Sequence, residues 1–219
     1  MRVDPATHTA ADVGDEPLLL ATEAAVWVAR DRPAGARAAA GEGAAVLVMD
    51  DGHQNPSLKK ALSLIVVDGE TRDDEWPFGD GAVFPSGPMR EPLATGLARA
   101  DAVIVLLPGD APELDPELHA LFRDLPVFIA RLEPALTAAG CDLIDFAGFP
   151  DHAAFSERDL KALADQAAAR GAGLVTTEKD WVRLPPEWRA RVAAWPVVAR
   201  FEDEAAVMGL LRRVVAPPA

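Results

Sequence analysis

Short apolar runs recur along this chain, and stretches with helical spacing separate them. "AAVWVARD" (24–31), "AAVLVMDD" (44–51), "LSLIVVDG" (62–69), "DAVIVLLP" (101–108), "PVFIARL" (126–132), "CDLIDFAG" (141–148), "AGLVTTEKD" (172–180) and "WPVVARF" (195–201) all read as strands. Several are rich in valine and isoleucine and lack the polar alternation of a sheet wetted on one face, so they suit parallel strands covered on both sides. Between them, "DEPLLLATEAA" (15–25) opens on two acids. "SERDLKALADQAAARGAG" (156–173) starts at a capping serine and stops at Gly171 or Gly173, and "EDEAAVMGLLRRVV" (202–215) sets acids first and arginines last. These are the start and stop signals of helices, with charges matched to the helix dipole. Strand–helix alternation predicts an α/β protein with three layers and a largely parallel sheet. The proline- and acid-rich stretch 109–125 is the expected joint between residues 1–108 and residues 126–219.

Composition narrows the function. Half of the 219 residues are apolar, enough for a substantial core. A formal net charge of -14 argues against nucleic acid as a partner, because a phosphate backbone needs a basic surface. The single cysteine, Cys141, excludes an internal disulfide framework and a cysteine-rich zinc site, and fits a reducing, cytoplasmic setting. No apolar run reaches the length of a membrane span.

In parallel α/β sheets ligands gather beyond the carboxyl ends of the strands. The run at 44–51 delivers two adjacent aspartates, Asp50 and Asp51, to such an end, with Gly52, His53 and Gln54 after them. Neighbouring carboxylates repel, and a divalent cation held directly or through its waters relieves the repulsion; a solvated turn does so equally well. Asp68 ends the next run, where a cap or turn former is the simpler reading. Thr176, Thr177, Glu178, Lys179 and Asp180 end another, and Asp151 and His152 lie in a loop after "GF". Carboxylates, a histidine and a lysine at several strand ends of one sheet point towards phosphoryl chemistry.

Six segments then carry a family resemblance. "VGDEPLLLA" (13–21), "LVMDDGHQNPSL" (47–58), "FGDGAVFPSGPMREPL" (78–93), "ARADAVIV" (98–105), "FPDH" (149–152) and "LVTTEKDWVRLP" (174–185) resemble, in order, the tetraacyldisaccharide 4'-kinases. These phosphorylate the lipid A disaccharide precursor with ATP at the inner membrane of Gram-negative bacteria. The resemblance implies a P-loop NTPase type of sheet, ATP with Mg²⁺, and peripheral contact with the cytoplasmic face of that membrane. It also implies roles for particular residues. Asp15 matches the general base that takes the proton of the sugar hydroxyl, and His152 matches the histidine that pairs with it. Glu16 and Gln54 match neighbours of the nucleotide site, Asp50 and Asp51 the metal-facing pair, and Arg90 a clamp for phosphate or headgroup, with an ion pair to Glu91 as the plainer use.

The chain departs from that pattern in named places. His53 stands where the family carries an apolar residue, and Asn55 where it carries a histidine. A glycine-rich stretch expected before "FPDH" is lacking, and 69–81 is longer and more acidic. None of the four lysines, Lys59, Lys60, Lys161 and Lys179, follows the glycine pattern of a phosphate loop. The sheet is therefore expected to be truncated at its N-terminal side and Mg-ATP binding to be weak. A non-catalytic remnant or binding module with the same fold is the alternative to a working kinase, and a different acid-anhydride hydrolase a more distant one.

Overall fold

The computed structural model describes residues 1–69, 77–109, 113–133, 140–149 and 155–215. In chain order these form α1 (Ala10–Val13), α2 (Asp15–Leu20), α3 (Arg32–Gly41), β1 (Leu64–Asp68), α4 (Leu93–Leu97), β2 (Ala102–Pro108), α5 (Pro116–Leu121) and β3 (Val127–Glu133). After them come α6 (Glu157–Ala169), β4 (Leu174–Thr177), α7 (Glu178–Trp181), α8 (Pro186–Arg189), β5 (Val192–Trp195), β6 (Val198–Phe201) and α9 (Glu204–Val215). Two compact units result: Met1–Gly43 with Ala135–Val197, and Ala44–Pro134 with Val198–Ala219.

The second unit is built on a four-stranded sheet in the order β1-β2-β3-β6. β1, β2 and β3 run parallel and β6 is antiparallel to β3, so the sheet is mixed and mostly parallel. Period-two alternation sends Val67, Val103, Val105 and Leu107 to one face, where Leu118 of α5 and Phe122 close over them. Phe78 meets Phe122 edge-on with ring centroids 6.2 Å apart. The stretch expected to be a joint, 109–125, thus contains core: Leu118 and Phe122 are among the most buried side chains of the protein. At the end of β1, Gly69 runs so close to β2 that a Cβ would lie 2.4 Å from Val105 Cγ1 and 2.7 Å from Leu107 Cδ2. Only glycine lets the strand leave the sheet there.

The first unit has two smaller cores. Val3, Val13, Leu18 and Val182 form one; Leu160, Leu184, Trp188 and Val192 form the other, and Trp181 packs against both. β4 and β5 pair in parallel, and the Trp181 indole N–H donates to the Val192 carbonyl at 2.9 Å.

Four strand expectations hold: 62–69, 101–108, 126–132 and, over its first half, 172–180, after which residues 178–181 turn helical. The run 195–201 is split between the ends of β5 and β6. The helices expected at 156–173 and 202–215 form as α6 and α9, and that at 15–25 is shortened to α2. Three runs are corrected. Residues 24–31 make only an isolated bridge, Arg2 to Trp27, and 141–148 has no regular structure. The run 44–49 is irregular as well, with Val46, Leu47 and Val48 exposed. Valine-rich sequence becomes a strand only when a ladder partner takes up its backbone groups. Among the described residues none of these three runs belongs to either sheet.

Candidate active site

In the second unit, Asp50 and Asp51 sit in a turn rather than at a strand end, and Asp51 adopts φ +44°. That left-handed conformation is one aspartate tolerates better than most residues. Histidine 53 fixes the turn. Its Nε2 is 3.0 Å from the Gly96 carbonyl and its Nδ1 is 2.7 Å from Ser63 Oγ. A carbonyl only accepts, so Nε2 carries the proton; in the neutral ring Nδ1 then accepts from the Ser63 hydroxyl. Ser63 is buried and donates its backbone N–H to Asp101 Oδ2 at 2.7 Å. His53 therefore pins the turn to the residue before β1 and to α4.

The pinned turn faces the "REP" segment. Arg90 Nη1 donates to both Asp51 oxygens, at 3.1 and 2.9 Å. The carboxylate beside it raises the Arg90 guanidinium above its ordinary value, although both side chains are about two-thirds exposed, at 69% and 65%. Gln54 Nε2 donates to Glu91 Oε1 at 2.9 Å, and Arg99 Nη2 reaches the same oxygen at 2.5 Å. Arg99, then Gln54, hold the Glu91 carboxyl below the usual glutamate range. Arg90 thus pairs with Asp51, and its neighbour Glu91 takes Arg99 instead. The plainer use considered for Arg90, a pair with Glu91, is not the one formed.

The first unit carries the other candidates. Gly14, at φ +93°, ends α1 and begins α2, which puts Asp15 and Glu16 in the first turn of α2. Opposite them, Thr177 caps α7 by accepting the Asp180 N–H at 3.2 Å. The helical turn continues through Val182 and Arg183, so Lys179 and Arg183, four residues apart, come to the same side. Lys179 Nζ lies 3.7 Å from Glu16 Oε1, and Arg183 Nε 3.7 Å from Asp15 Oδ2. Arg183 also donates to Asp180 Oδ1 at 3.0 Å and lies over the Phe155 ring, 5.4 Å from its centroid. Asp15 and Arg183 are 16% and 11% exposed, so this pair is far drier than Asp51–Arg90.

Comparison with known proteins places these residues in a family. The family described as tetraacyldisaccharide-1-P 4'-kinase matches residues 1–137 and 130–216. A tetraacyldisaccharide 4'-kinase of Caulobacter vibrioides (strain NA1000 / CB15N) is 61% identical over 237 residues, covering 98% of this chain and 71% of the relative. Those of Phenylobacterium zucineum (61% identical, 94% of this chain, 70% of the relative) and Maricaulis maris (50%, 98% and 69%) agree with it. The chain belongs to the tetraacyldisaccharide 4'-kinase family. No solved structure matches it.

Of the residues the family resemblance implies, the structure brings Asp51 to Arg90 within one unit, with Gln54 bonded to Arg90's neighbour, Glu91. It places Asp15 beside Glu16 in the other unit. His152 lies outside the described residues. Glu91, Arg99 and Arg183 were not singled out from sequence as site residues, because an arginine's partner is set by the fold and no local spacing reveals it. Asp50 and Asp51 offer hard oxygen ligands of the kind Mg²⁺ takes one or two at a time, keeping several waters. Among the described residues no group of three or more His, Cys, Asp or Glu side chains is arranged to hold a metal by itself. Among them, too, no helix is long and apolar enough to cross a membrane.

Proposed function

We propose that this chain phosphorylates the 4' hydroxyl of the tetraacyldisaccharide precursor of lipid A with Mg-ATP, working at the cytoplasmic face of the inner membrane on a P-loop type of sheet. The observation that carries the reading is the first-turn aspartate of α2 held beside Arg183 in a chain 61% identical to a tetraacyldisaccharide 4'-kinase. In this reading Asp15 is the general base. As the sugar oxygen forms its bond to the γ-phosphorus and the bond to the β-bridging oxygen breaks, the hydroxyl proton passes to an Asp15 carboxylate oxygen. His152, next to it in role, would tune that carboxylate. Asp50 and Asp51 would hold Mg²⁺, whose charge offsets that on the transferring phosphoryl group. Arg90, beside Asp51, would clamp a phosphate oxygen. Glu16, beside Lys179, and Gln54, bonded to Glu91, would each serve nucleotide binding in its own unit.

The second reading is a binding module that takes the acceptor without the chemistry. Transfer of radiolabel from γ-labelled ATP to tetraacyldisaccharide 1-phosphate separates the two. The kinase reading expects slow, Mg²⁺-dependent transfer that Asp15→Asn lowers by about a hundredfold or more. Binding of the acceptor with no transfer above the enzyme-free control would establish the module instead.

A further inference from the structure

We propose that His53 is a positioning residue for the phosphoryl site: its imidazole sets where Asp51 and Gln54 stand against Arg90 and Glu91. The inference rests on the reading of Asp51 as a holder of Mg²⁺ and adds to it the residue that places it.

The turn is braced within itself. Asn55 donates its N–H to the Gly52 carbonyl at 3.1 Å, and a Cβ on Gly52 would stand 2.7 Å from Met49 Cβ. Asp51, His53 and Gln54 are therefore carried as one piece, whose place in the unit has still to be set. Three side chains fasten that piece to residues 90–96: Asp51 to Arg90, Gln54 to Glu91, and His53 to the Gly96 carbonyl. The first two fastenings lie in solvent. Asp51 and Arg90 are 65% and 69% exposed, and Gln54 is exposed too, so water competes for both. The two His53 bonds, at 3.0 Å to the Gly96 carbonyl and 2.7 Å to Ser63 Oγ, are partly buried. Drier hydrogen bonds lose less to water and hold geometry better.

These bonds also lead into the sheet. Ser63 donates its N–H to Asp101 Oδ2 at 2.7 Å, and its carbonyl accepts the Asp101 N–H at 2.8 Å. That reciprocal pair joins the residues just before β1 and β2. The ring thus refers the turn to two strands through Nδ1 and to α4 through Nε2. One proton arrangement serves both: Nε2–H donates to the carbonyl, and Nδ1 accepts from the hydroxyl. A phenylalanine ring fills similar space and offers neither bond.

The test uses nuclear magnetic resonance on the full chain without metal. Long-range proton–nitrogen spectra of the neutral ring should show Nε2 protonated and Nδ1 bare, and the opposite tautomer overturns the proposal. In His53→Phe the Gln54 side-chain amide and Arg90 guanidinium resonances should move towards solvent-like values while the amides of β2 and β3 keep theirs. His53→Gln retains one donor and one acceptor and should return most of that change. Wild-type resonances in His53→Phe, or a glutamine no better than phenylalanine, overturn the proposal. Where phenylalanine prevents folding, Ser63→Ala decides it. The Nδ1 bond alone is lost there, so the Gln54 resonances should move part-way, and unmoved ones overturn the role.

Mn²⁺ binding followed by electron paramagnetic resonance separates this inference from the metal reading. Asp51→Asn and His53→Phe are each expected to weaken the ion by about tenfold or more. If Asp51→Asn leaves the affinity unchanged, the metal reading fails, and the resonances alone decide whether His53 places the turn. If Asp51→Asn weakens the ion and a folded His53→Phe does not, the metal reading stands and this inference falls.

Discussion

Replacing His53 by phenylalanine tests whether the turn bearing Asp50 and Asp51 is held by hydrogen bonds rather than by burial. The ring loses two bonds, to the Gly96 carbonyl at 3.0 Å and Ser63 Oγ at 2.7 Å. Each is worth about 0.5–1.5 kcal/mol net, and the Ser63 hydroxyl is left without its partner in a site where the residue is 8% exposed, which costs a further ~1–3 kcal/mol. Phenylalanine recovers part of this through its greater apolar surface, roughly 1 kcal/mol on a half-buried ring. The expected net loss is about 3 kcal/mol. With a urea slope of about 2 kcal/mol per molar, the unfolding midpoint of the unit should fall by roughly 1.5 M. A double-mutant cycle with Ser63→Ala isolates the shared bond, with an expected coupling of about 1 kcal/mol. Hydrogen exchange at the Ser63 and Asp101 amides, which bond across the starts of β1 and β2, should quicken in parallel. A midpoint within about 0.2 M of wild type together with zero coupling would refute the argument.

Two further outcomes follow from the same geometry. Glu91 ionises below its ordinary 4.5 because Arg99 and then Gln54 donate to it. A depressed folded value means its stabilisation is complete above the unfolded value and is lost as pH falls from about 4.5 through the folded value. Glu91→Gln should therefore flatten that acid limb of the stability curve, and an unchanged limb counts against the network. Thr177→Ala removes the cap of α7 and should cost about 1 kcal/mol by thermal melting, with Thr177→Ser restoring most of it.

Much of the fold was legible before any coordinates. Runs such as "DAVIVLLP" lie at the middle of the sheet, paired on both edges, so composition alone predicts β2 correctly. Ser156 and the leucine spacing of 156–173 mark α6 for a similar reason: a cap and a periodic apolar stripe are local properties. The run "AAVLVMDD" has equally strong strand character but forms none. A strand is a relation between two segments, and whether a partner is present is not written in either. The same limit applied to the site. Adjacent acids at 15–16 and 50–51 stood out at once, whereas their cations, Arg183 and Arg90, were assigned only by the geometry.

The sequence by itself determined the chemical class: an acidic, mostly parallel α/β protein with paired carboxylates, and motifs that place it in the tetraacyldisaccharide 4'-kinase family. Tertiary structure alone decided which charge answers which. Attraction between Asp15 and Arg183, or Asp51 and Arg90, depends on separations of a few ångströms between groups 168 and 39 residues apart in the chain, and no local pattern encodes such distances.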